Sequence, residues 1–176
     1  MRNSTNLLNL STDEYYMRMA LRESMNAYSE GEVPVGAVAV YKDEVIAKSY
    51  NQIEVLKDAT AHAEMLVITQ ASAHLKDWRL NEVTVYVTKE PCSMCAGAMV
   101  NSKLGRLVFG IKDIRYGAAG SALDITNFEG ALHRVNVTGG ILEKECLEVF
   151  QNFFKDLRNQ KTKTESARLN GNRINF

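Results

Sequence analysis

The stretch "EVTVYVTKEPCSMCAGAMVNSKLGRLVFG", residues 82–110, predicts a strand, a helix and a second strand in close succession. The segment "EVTVYVT" (82–88) is compact and mostly apolar, which is typical of a buried strand. Pro91 fits the first turn of a helix, and "CSMCAGAMVNSK" continues that helix with many small residues. The segment "RLVFG" (106–110) predicts a short buried strand. A strand, a helix and a strand in this order indicate an α/β fold.

The residues before this stretch extend the pattern. "STDE" at Ser11–Glu14 has the form of a capping box that begins a helix, with Gly31 as its stop. Two β-rich runs then flank the polar pair Asp43–Glu44 and predict a hairpin, whose first strand begins at or just after Pro34. "DATAHAEMLVITQASAHL" changes to a helical period, with Thr60 as its N-cap. One side of that helix is predicted to carry Met65, Ile68, Thr69 and Ser72.

After residue 110, "RVNVTGGI" predicts a final strand and "EKECLEVFQNFFKDLRN" a closing amphipathic helix. The order α-β-β-α-β-α-β-β-α predicts a sheet of about five strands with helices on both faces. We expect one domain over residues 1–157, followed by a basic C-terminal tail over residues 158–176. The last 22 residues contain six Lys/Arg against two Asp/Glu, which is typical of a solvated tail and is also compatible with binding a polyanion.

Composition narrows the function classes. Lys+Arg and Asp+Glu both number 21 of the 176 residues, so the net charge is zero and gives no bulk signal for nucleic-acid binding. No apolar run approaches the roughly 20 residues that a membrane span requires. The N-terminal residues lack the pattern of a secretory signal, so we expect a cytoplasmic protein. In a reducing compartment, closely spaced cysteines favour metal or redox chemistry over a structural disulfide.

Four residues form the candidate site: His62 and Glu64 in "TAHAEM", and Cys92 and Cys95 in "PCSMC". Helical residues two apart point about 200° apart, so His62 and Glu64 reach one object only if it lies off the helix end. Cys92 and Cys95, three apart, share one face in the first turn of their own helix. Two helix N-termini would then meet at one metal ion, where their dipoles favour thiolates, at the sheet edge where α/β folds place their sites.

The ligand count indicates the chemistry. One histidine nitrogen and two thiolates are three protein ligands, typical of catalytic zinc with an open fourth position. Zinc makes water acidic enough to supply hydroxide near neutral pH, and Glu64 is then free to move protons. PCxxC alone also occurs in redox pairs and structural zinc knuckles. The third cysteine, Cys146, lies in the closing helix and is interpreted as a buried small residue. The combined pattern H-x-E…P-C-x-x-C is the signature of zinc deaminases of bases and nucleosides.

Several longer motifs carry a closer resemblance, from about residue 13 to about residue 157. They are "EVPVGAV", "TAHAEM", "TKEPCSMCAGAM", "GGIL" and, most specifically, "NSKLGRLVFGIKDIRYGAAGSALDI". With these motifs the chain resembles the bacterial TadA-type tRNA-specific adenosine deaminases of the cytidine-deaminase-like superfamily. The resemblance implies a three-layer α/β/α sandwich with a mixed sheet, and a homodimer with one zinc ion per subunit.

It also implies a reaction, the hydrolytic deamination of adenosine to inosine at the wobble position of a tRNA anticodon loop by attack of zinc-activated water on C6 of adenine. Carried over residue by residue, His62, Cys92 and Cys95 hold zinc and Glu64 is the catalytic acid/base. The substrate-binding residues implied are Asn51, Val35, Ala63, Asp113, Lys112, Arg115 and Phe154. Without the resemblance, the residue types favour a turn role for Asn51 and Asp113, and one of Phe153 and Phe154 is expected in the core.

The chain also departs from the family pattern. Ala59 replaces a proline often found before "TAHAE", and Leu132 stands where a polar asparagine is usual before "HRV". His74 and His133 lack neighbouring ligands and are interpreted as surface or structural histidines. One alternative is a related zinc deaminase of a free base or nucleoside, such as guanine or cytosine. Another is a non-catalytic zinc-stabilised RNA-binding or scaffold subunit, against which Glu64 argues.

Overall fold

The computed structural model describes residues 12–171. Its helices and strands follow the predicted order, with one additional short helix. They are α1 Thr12–Ser29, β1 Gly36–Tyr41, β2 Glu44–Tyr50, α2 Ile53–Leu56, α3 Ala63–Leu75, β3 Val83–Lys89, α4 Ser93–Asn101, β4 Arg106–Ile111, β5 Asn136–Gly139 and α5 Glu143–Gly171.

The five strands form one mixed sheet in the order β2-β1-β3-β4-β5. The hairpin strands β1 and β2 pair antiparallel, and β1 also pairs antiparallel with β3. From β3 outward, β4 and β5 are parallel to their neighbours. The crossover from β3 to β4 runs through α4. Because β3 is the middle strand of the five, this strand–helix–strand unit lies at the centre of the sheet.

Helices cover both faces of the sheet, as the α/β/α prediction requires. Strand β3 is buried on both faces: Val85 and Val87 pack with residues of α3 and α4, whereas Tyr86 packs with residues of α1 on the other face. The alternation follows from the two-residue period of a strand. The three-layer sandwich is therefore confirmed. Among the described helices, none is long and apolar enough to span a bilayer.

Two local predictions were off by about one residue. The hairpin turn is Lys42–Asp43, both with positive φ of 49° and 63°, so Glu44 already belongs to β2. Positive φ at both central residues is the type I′ geometry that matches the twist of the flanking strands. The core face of α3 consists of Ala63, Glu64, Val67, Ile68 and Ala71. Of the four residues expected along one side, only Ile68 is buried, because the helix is rotated toward the sheet by about one position.

Thr60 is not the N-cap of α3. Its hydroxyl and its backbone amide both donate to Asp58 Oδ1, at 2.7 and 2.8 Å, in a turn that precedes the helix. The N-cap is His62. At the other end of the chain, α5 runs through residue 157 to Gly171 without a break, so the expected boundary at residues 157/158 lies inside one helix. The first residue of the capping box, Ser11, lies outside the described residues.

Candidate active site

Sheet topology brings the ends of four strands and the starts of two helices to one edge. The parallel strands β3 and β4 both end there, at Lys89 and Ile111. Strand β1 runs the opposite way, so its first residue, Gly36, lies at the same edge, opposite Tyr50 at the end of β2. Helices α3 and α4 also begin at this edge. The pair His62 and Glu64 and the pair Cys92 and Cys95, 28 to 33 positions apart in sequence, therefore converge without any local signal joining them.

His62 and Cys92 hold equivalent positions in their helices. Each is the N-cap residue, with an extended backbone at φ −69°, ψ 149° and at φ −73°, ψ 176° respectively. Neither side chain caps its own helix. An N-cap residue has left the helical conformation, so its side chain is able to project beyond the helix end. Both helix N-termini therefore present a ligand atom to the space between them, as the sequence predicted.

The three predicted ligand atoms have the spacing of a zinc site. Cys92 Sγ and Cys95 Sγ are 3.7 Å apart, and His62 Nδ1 lies 3.6 and 3.5 Å from these two sulfur atoms. Tetrahedral zinc with Zn–S of about 2.3 Å and Zn–N of about 2.05 Å requires S···S of about 3.8 Å and S···N of about 3.6 Å. The three ligand atoms all lie within 4.8 Å of one another, close enough to bind a single metal ion. The donor set fits a metal in both type and geometry.

Electrostatics of the same residues favour a bound cation. Hydrogen bonding with Cys95 and His62 lowers the pKa of the Cys92 thiol to about 3, so this sulfur is a thiolate. The interaction with Cys92, together with burial, raises the pKa of Cys95. A dication between the two sulfur atoms deprotonates a coordinating thiol outright. The pKa of His62 is raised chiefly by its hydrogen bond with Cys92.

A cavity of about 230 Å³ opens onto two of the three candidate ligands, His62 and Cys92, and we call it the inner cavity. Its walls include Val35, Asn51, His62, Glu64, Lys89 and Cys92. Glu64 is only 4% exposed, and burial raises the pKa of its carboxyl group. A buried carboxylate at the wall of the cavity, beside an open metal position, has the location that proton transfer to a bound substrate requires.

Asn51 lines the inner cavity with a fixed side-chain orientation. Its Nδ2 donates to Glu32 Oε2 at 3.0 Å, and both residues are buried. A carboxylate only accepts hydrogen bonds, so the amide nitrogen has to face Glu32 and the amide oxygen has to face away from it. The other oxygen of Glu32 accepts from the backbone amides of Glu54 and Val55 at 2.7 and 2.9 Å. Glu32 thereby ties Asn51 to the first turn of α2.

A second depression, of about 490 Å³, lies beside the inner cavity, and we call it the outer groove. It is lined by Lys112, Asp113, Arg115, Tyr116 and Phe154 together with Lys89, Ile111, Ile114, Leu147 and Phe150. Four of the seven residues predicted to bind substrate, Lys112, Asp113, Arg115 and Phe154, thus lie here rather than in the inner cavity beside the candidate ligands. Lys89 and Phe150 belong to both spaces.

Asp113 is already engaged within the protein. Its Oδ1 accepts from the backbone amides of Arg115 and Tyr116 at 2.9 and 3.2 Å, and Oδ2 pairs with the Lys89 ammonium. The turn interpretation of Asp113 is therefore correct, and any contact with substrate is additional to it. The same loop is anchored by buried Glu90, which accepts from the amides of Asp113, Ala119 and Ser121.

The remaining residues discussed from the sequence have the following locations. The Ala63 side chain is buried in the core, so only its backbone, in the first turn of α3, is available at the helix end. Phe153 is buried, whereas Phe154 faces the outer groove, as expected for adjacent residues of a helix.

Cys146 is buried against the opposite face of the sheet. Leu132 is 93% exposed. His74 is exposed at the end of α3, and His133 Nε2 lies 2.7 Å from the Leu104 carbonyl oxygen.

Sequence reasoning missed Glu32, Lys89, Glu90 and Phe150. Each is an ordinary residue of its segment, and its role depends on contacts across the sheet edge. Among these four residues, Glu90 has a local sequence signal, because it directly precedes the Pro91–Cys92 pair. A buried carboxylate at that position needs several hydrogen-bond donors. Glu32 begins the quoted "EVPVGAV" motif, but nothing in that motif indicates its partners.

Comparison with known proteins agrees with this geometry. The family of MafB19-like deaminases matches residues 11–158. The tRNA-specific adenosine deaminase of Bacillus subtilis (strain 168) is 43% identical over 161 residues, covering 92% of this chain and 98% of its own. A structure solved in a study of A-to-I editing by tRNA:A34 deaminases superposes with a TM-score of 0.74 at 39% identity, covering 77% of this chain and 98% of its own. A guanine deaminase from Nitrosomonas europaea, at 19% identity and a TM-score of 0.68 over 87% of this chain and 98% of its own, shares the fold alone.

The chain belongs to the MafB19-like deaminase family. Within that family it belongs to the tRNA-specific adenosine deaminases, which confirms the resemblance found in the sequence.

Proposed function

We propose that the protein is a hydrolase that converts the wobble adenosine of a tRNA anticodon loop to inosine, with release of ammonia. The observation that carries this function is the tetrahedral spacing of His62, Cys92 and Cys95 at the end of a cavity whose wall contains a buried carboxylate, Glu64. The membership of the tRNA-specific adenosine deaminases supplies the substrate. Of the alternative substrates, guanine has in its favour only a shared fold at low identity.

His62, Cys92 and Cys95 would hold one zinc ion per subunit. Two thiolates and an imidazole are ligands that zinc prefers over harder cations, and three protein ligands leave a fourth position free. The bound ion supplies Lewis acidity that makes water a nucleophile near neutral pH. The protein contributes a rigid ligand set, because each ligand is fixed at the first turn of a packed helix.

Glu64 carries the protons in this proposal. The deamination of adenosine adds one water and expels one ammonia, so a proton must leave the water and protons must reach the ring nitrogen and the departing amino group. A single carboxylate beside the reacting atoms is able to accept the first proton and to donate to the others in turn. Because Glu64 is buried, its carboxyl proton does not exchange freely with bulk solvent.

The inner cavity would receive the target nucleoside. Val35 provides an apolar wall, and the oriented amide of Asn51 provides a polar contact for the base or its sugar. The backbone at Ala63, at the start of α3, would complete the wall beside Glu64. An oriented amide costs no reorganisation when the substrate binds, which is why the Glu32 contact matters for catalysis.

The outer groove would receive the neighbouring nucleotides. Lys112 and Arg115 are exposed and basic, and Phe154 offers an aromatic face on which a base is able to stack. Asp113 would contact the nucleotide beside the target while it holds the loop. The exposed apolar side chain of Leu132 cannot supply a polar contact to RNA, so this chain depends more on the outer groove.

The test is inosine formation on a short anticodon stem-loop with adenosine at the wobble position, with free adenosine, guanine and cytosine alongside. We expect conversion of the stem-loop alone. The variant Glu64→Gln should keep the fold and the metal while the rate falls by at least about 10²- to 10⁴-fold, the usual contribution of a general acid/base. Deamination of a free base and not of the stem-loop would refute the substrate, and full activity of Glu64→Gln would refute the mechanism.

We further propose, from the resemblance, that the protein is a homodimer in the cytoplasm. Light scattering coupled to gel filtration measures the mass directly. A single chain has a mass of 19.7 kDa, so a dimer should elute with twice that value. A mass of one chain at micromolar concentration would contradict the homodimer.

A further inference from the structure

Lys89 lies at the wall between the inner cavity and the outer groove. It is the last residue of β3, and its side chain lines both spaces. The side chain is 22% exposed, so the ammonium group is held at the boundary rather than extended into solvent. None of the substrate-binding positions proposed above includes Lys89, although a substrate that occupies both spaces has to pass over it.

The surroundings fix the ammonium without satisfying it fully. It pairs with Asp113 Oδ2 on one side, and it lies 5.7 Å from the centroid of the Phe150 ring on another. A lysine ammonium has three N–H donors, and Asp113 accepts at one position. The neighbouring carboxylate of Glu90 is directed elsewhere, because both of its oxygens accept from backbone amides. Donor capacity therefore remains on the side of Lys89 that faces the two spaces.

An ion pair of this exposure contributes little to stability by itself. A methionine or leucine side chain would fill the same wall without a charge to desolvate. A positive charge between a nucleoside-sized cavity and an aromatic, basic groove instead matches the chemistry of an RNA strand. A strand with one base in the inner cavity and the next in the outer groove carries a phosphate at the crossing between them.

We propose that Lys89 binds the phosphate that joins the target nucleotide to the nucleotide held in the outer groove. Asp113 keeps the ammonium at the crossing, so that the side chain is already ordered before RNA arrives. This inference rests on the proposed function, because it requires an RNA substrate.

The first test is the salt dependence of stem-loop binding by Lys89→Met. Loss of one phosphate contact lowers the slope of log K against log[salt] by about 0.7 for a single strand. This difference in slope means that Lys89→Met should bind the stem-loop about fourfold more weakly than wild type at 0.15 M salt and about eightfold more weakly at 0.05 M. Lys89→Arg keeps the charge and should keep the slope of the wild type.

Lys48→Met is the matched control. Lys48 is also a strand lysine paired with a carboxylate, Glu23 at 3.8 Å, but it lines neither the inner cavity nor the outer groove. Its slope should equal that of the wild type. An unchanged slope for Lys89→Met would overturn the proposal and leave Lys89 as a residue that only holds the 112–117 loop.

A second test uses the unaltered protein and does not depend on folding of a variant. A set of stem-loops is used, each with one neutral methylphosphonate at a different linkage around the target adenosine. Modification of one linkage next to the target should weaken binding by about fourfold at 0.15 M salt. The same linkage should have no effect on Lys89→Met. Equal sensitivity of both proteins at every linkage would refute the contact, whereas wild-type protein that fails to deaminate the unmodified stem-loop would refute the proposed function instead.

Discussion

The contact between Glu32 and Asn51 gives the sharpest prediction, because one substitution reverses the orientation of a cavity group without removing any atom of the cavity wall. In Glu32→Gln, the single side-chain oxygen is able to keep the two backbone amides of α2, at Glu54 and Val55. Its new NH₂ group then faces the NH₂ group of Asn51. The conflict is relieved when Asn51 rotates by 180°, so that its nitrogen faces away from residue 32 and its oxygen faces Gln at that position.

The magnitude follows from the hydrogen bonds involved. All three bonds to Glu32 persist or are replaced by neutral ones, so the loss of stability should be about 1–2 kcal/mol. For a chain of this length that corresponds to a decrease of about 2–8 °C in Tm. If Asn51 binds the substrate as proposed, reversal of its amide removes a hydrogen bond and adds a mismatch, worth about 1.5–3 kcal/mol in the transition state. The expected decrease in kcat/KM is therefore about 10- to 150-fold.

The assay is steady-state inosine formation on the stem-loop, with Tm measured in parallel. Glu30→Gln is the matched control, because Glu30 lies two residues away and accepts a hydrogen bond from the Tyr50 hydroxyl at 2.9 Å on the exposed surface. Its kcat/KM should stay within about twofold of wild type. Asn51→Ala completes a double-mutant cycle. If Glu32 acts through Asn51, the second substitution costs much less in the Glu32→Gln background, and full additivity would refute the reasoning.

Two other predictions concern the metal and the pH dependence of stability. Cys92→Ala should lose the bound zinc, measured by plasma mass spectrometry, together with activity. Cys146→Ala should keep both, because Cys146 is buried on the other face of the sheet, and zinc retained in Cys92→Ala would show that the ligand set is wrong. Asp13 accepts two hydrogen bonds from Arg106, at 2.7 and 2.8 Å, which lower the pKa of its carboxyl group below the ordinary value. A folded pKa below the unfolded one stabilises the protein above about pH 4 and ceases to do so as the pH falls through the folded value. Asp13→Asn should therefore cost about 1–2 kcal/mol at pH 7 and progressively less as the pH falls through the folded pKa of Asp13, and a cost that chemical denaturation finds unchanged across the acid range would contradict this.

The sequence by itself determined the order of the elements and the identity of the metal-binding group. Apolar runs and helical periods depend on neighbouring residues, so β3, α4 and β4 were readable from the single stretch 82–110. The spacing of HxE and PCxxC restricts the geometry at each helix start, and therefore His62, Cys92 and Cys95 were predicted together. The buried state of Cys146 and the split between Phe153 and Phe154 followed from position in an amphipathic helix.

Tertiary structure alone decided which residues hold the rest of the site around these ligands. Thr60 had the residue type of an N-cap, yet Asp58 captured its hydroxyl, and His62 became the cap. The side chains of Glu32, Lys89 and Glu90 owe their roles to partners 19 to 31 positions away, which meet them only because antiparallel and parallel strands end at one edge of the sheet. Local patterns encode which face of an element is apolar. They do not encode which polar groups a closed sheet edge places within hydrogen-bonding distance, because that depends on the register of strands that are not neighbours in sequence.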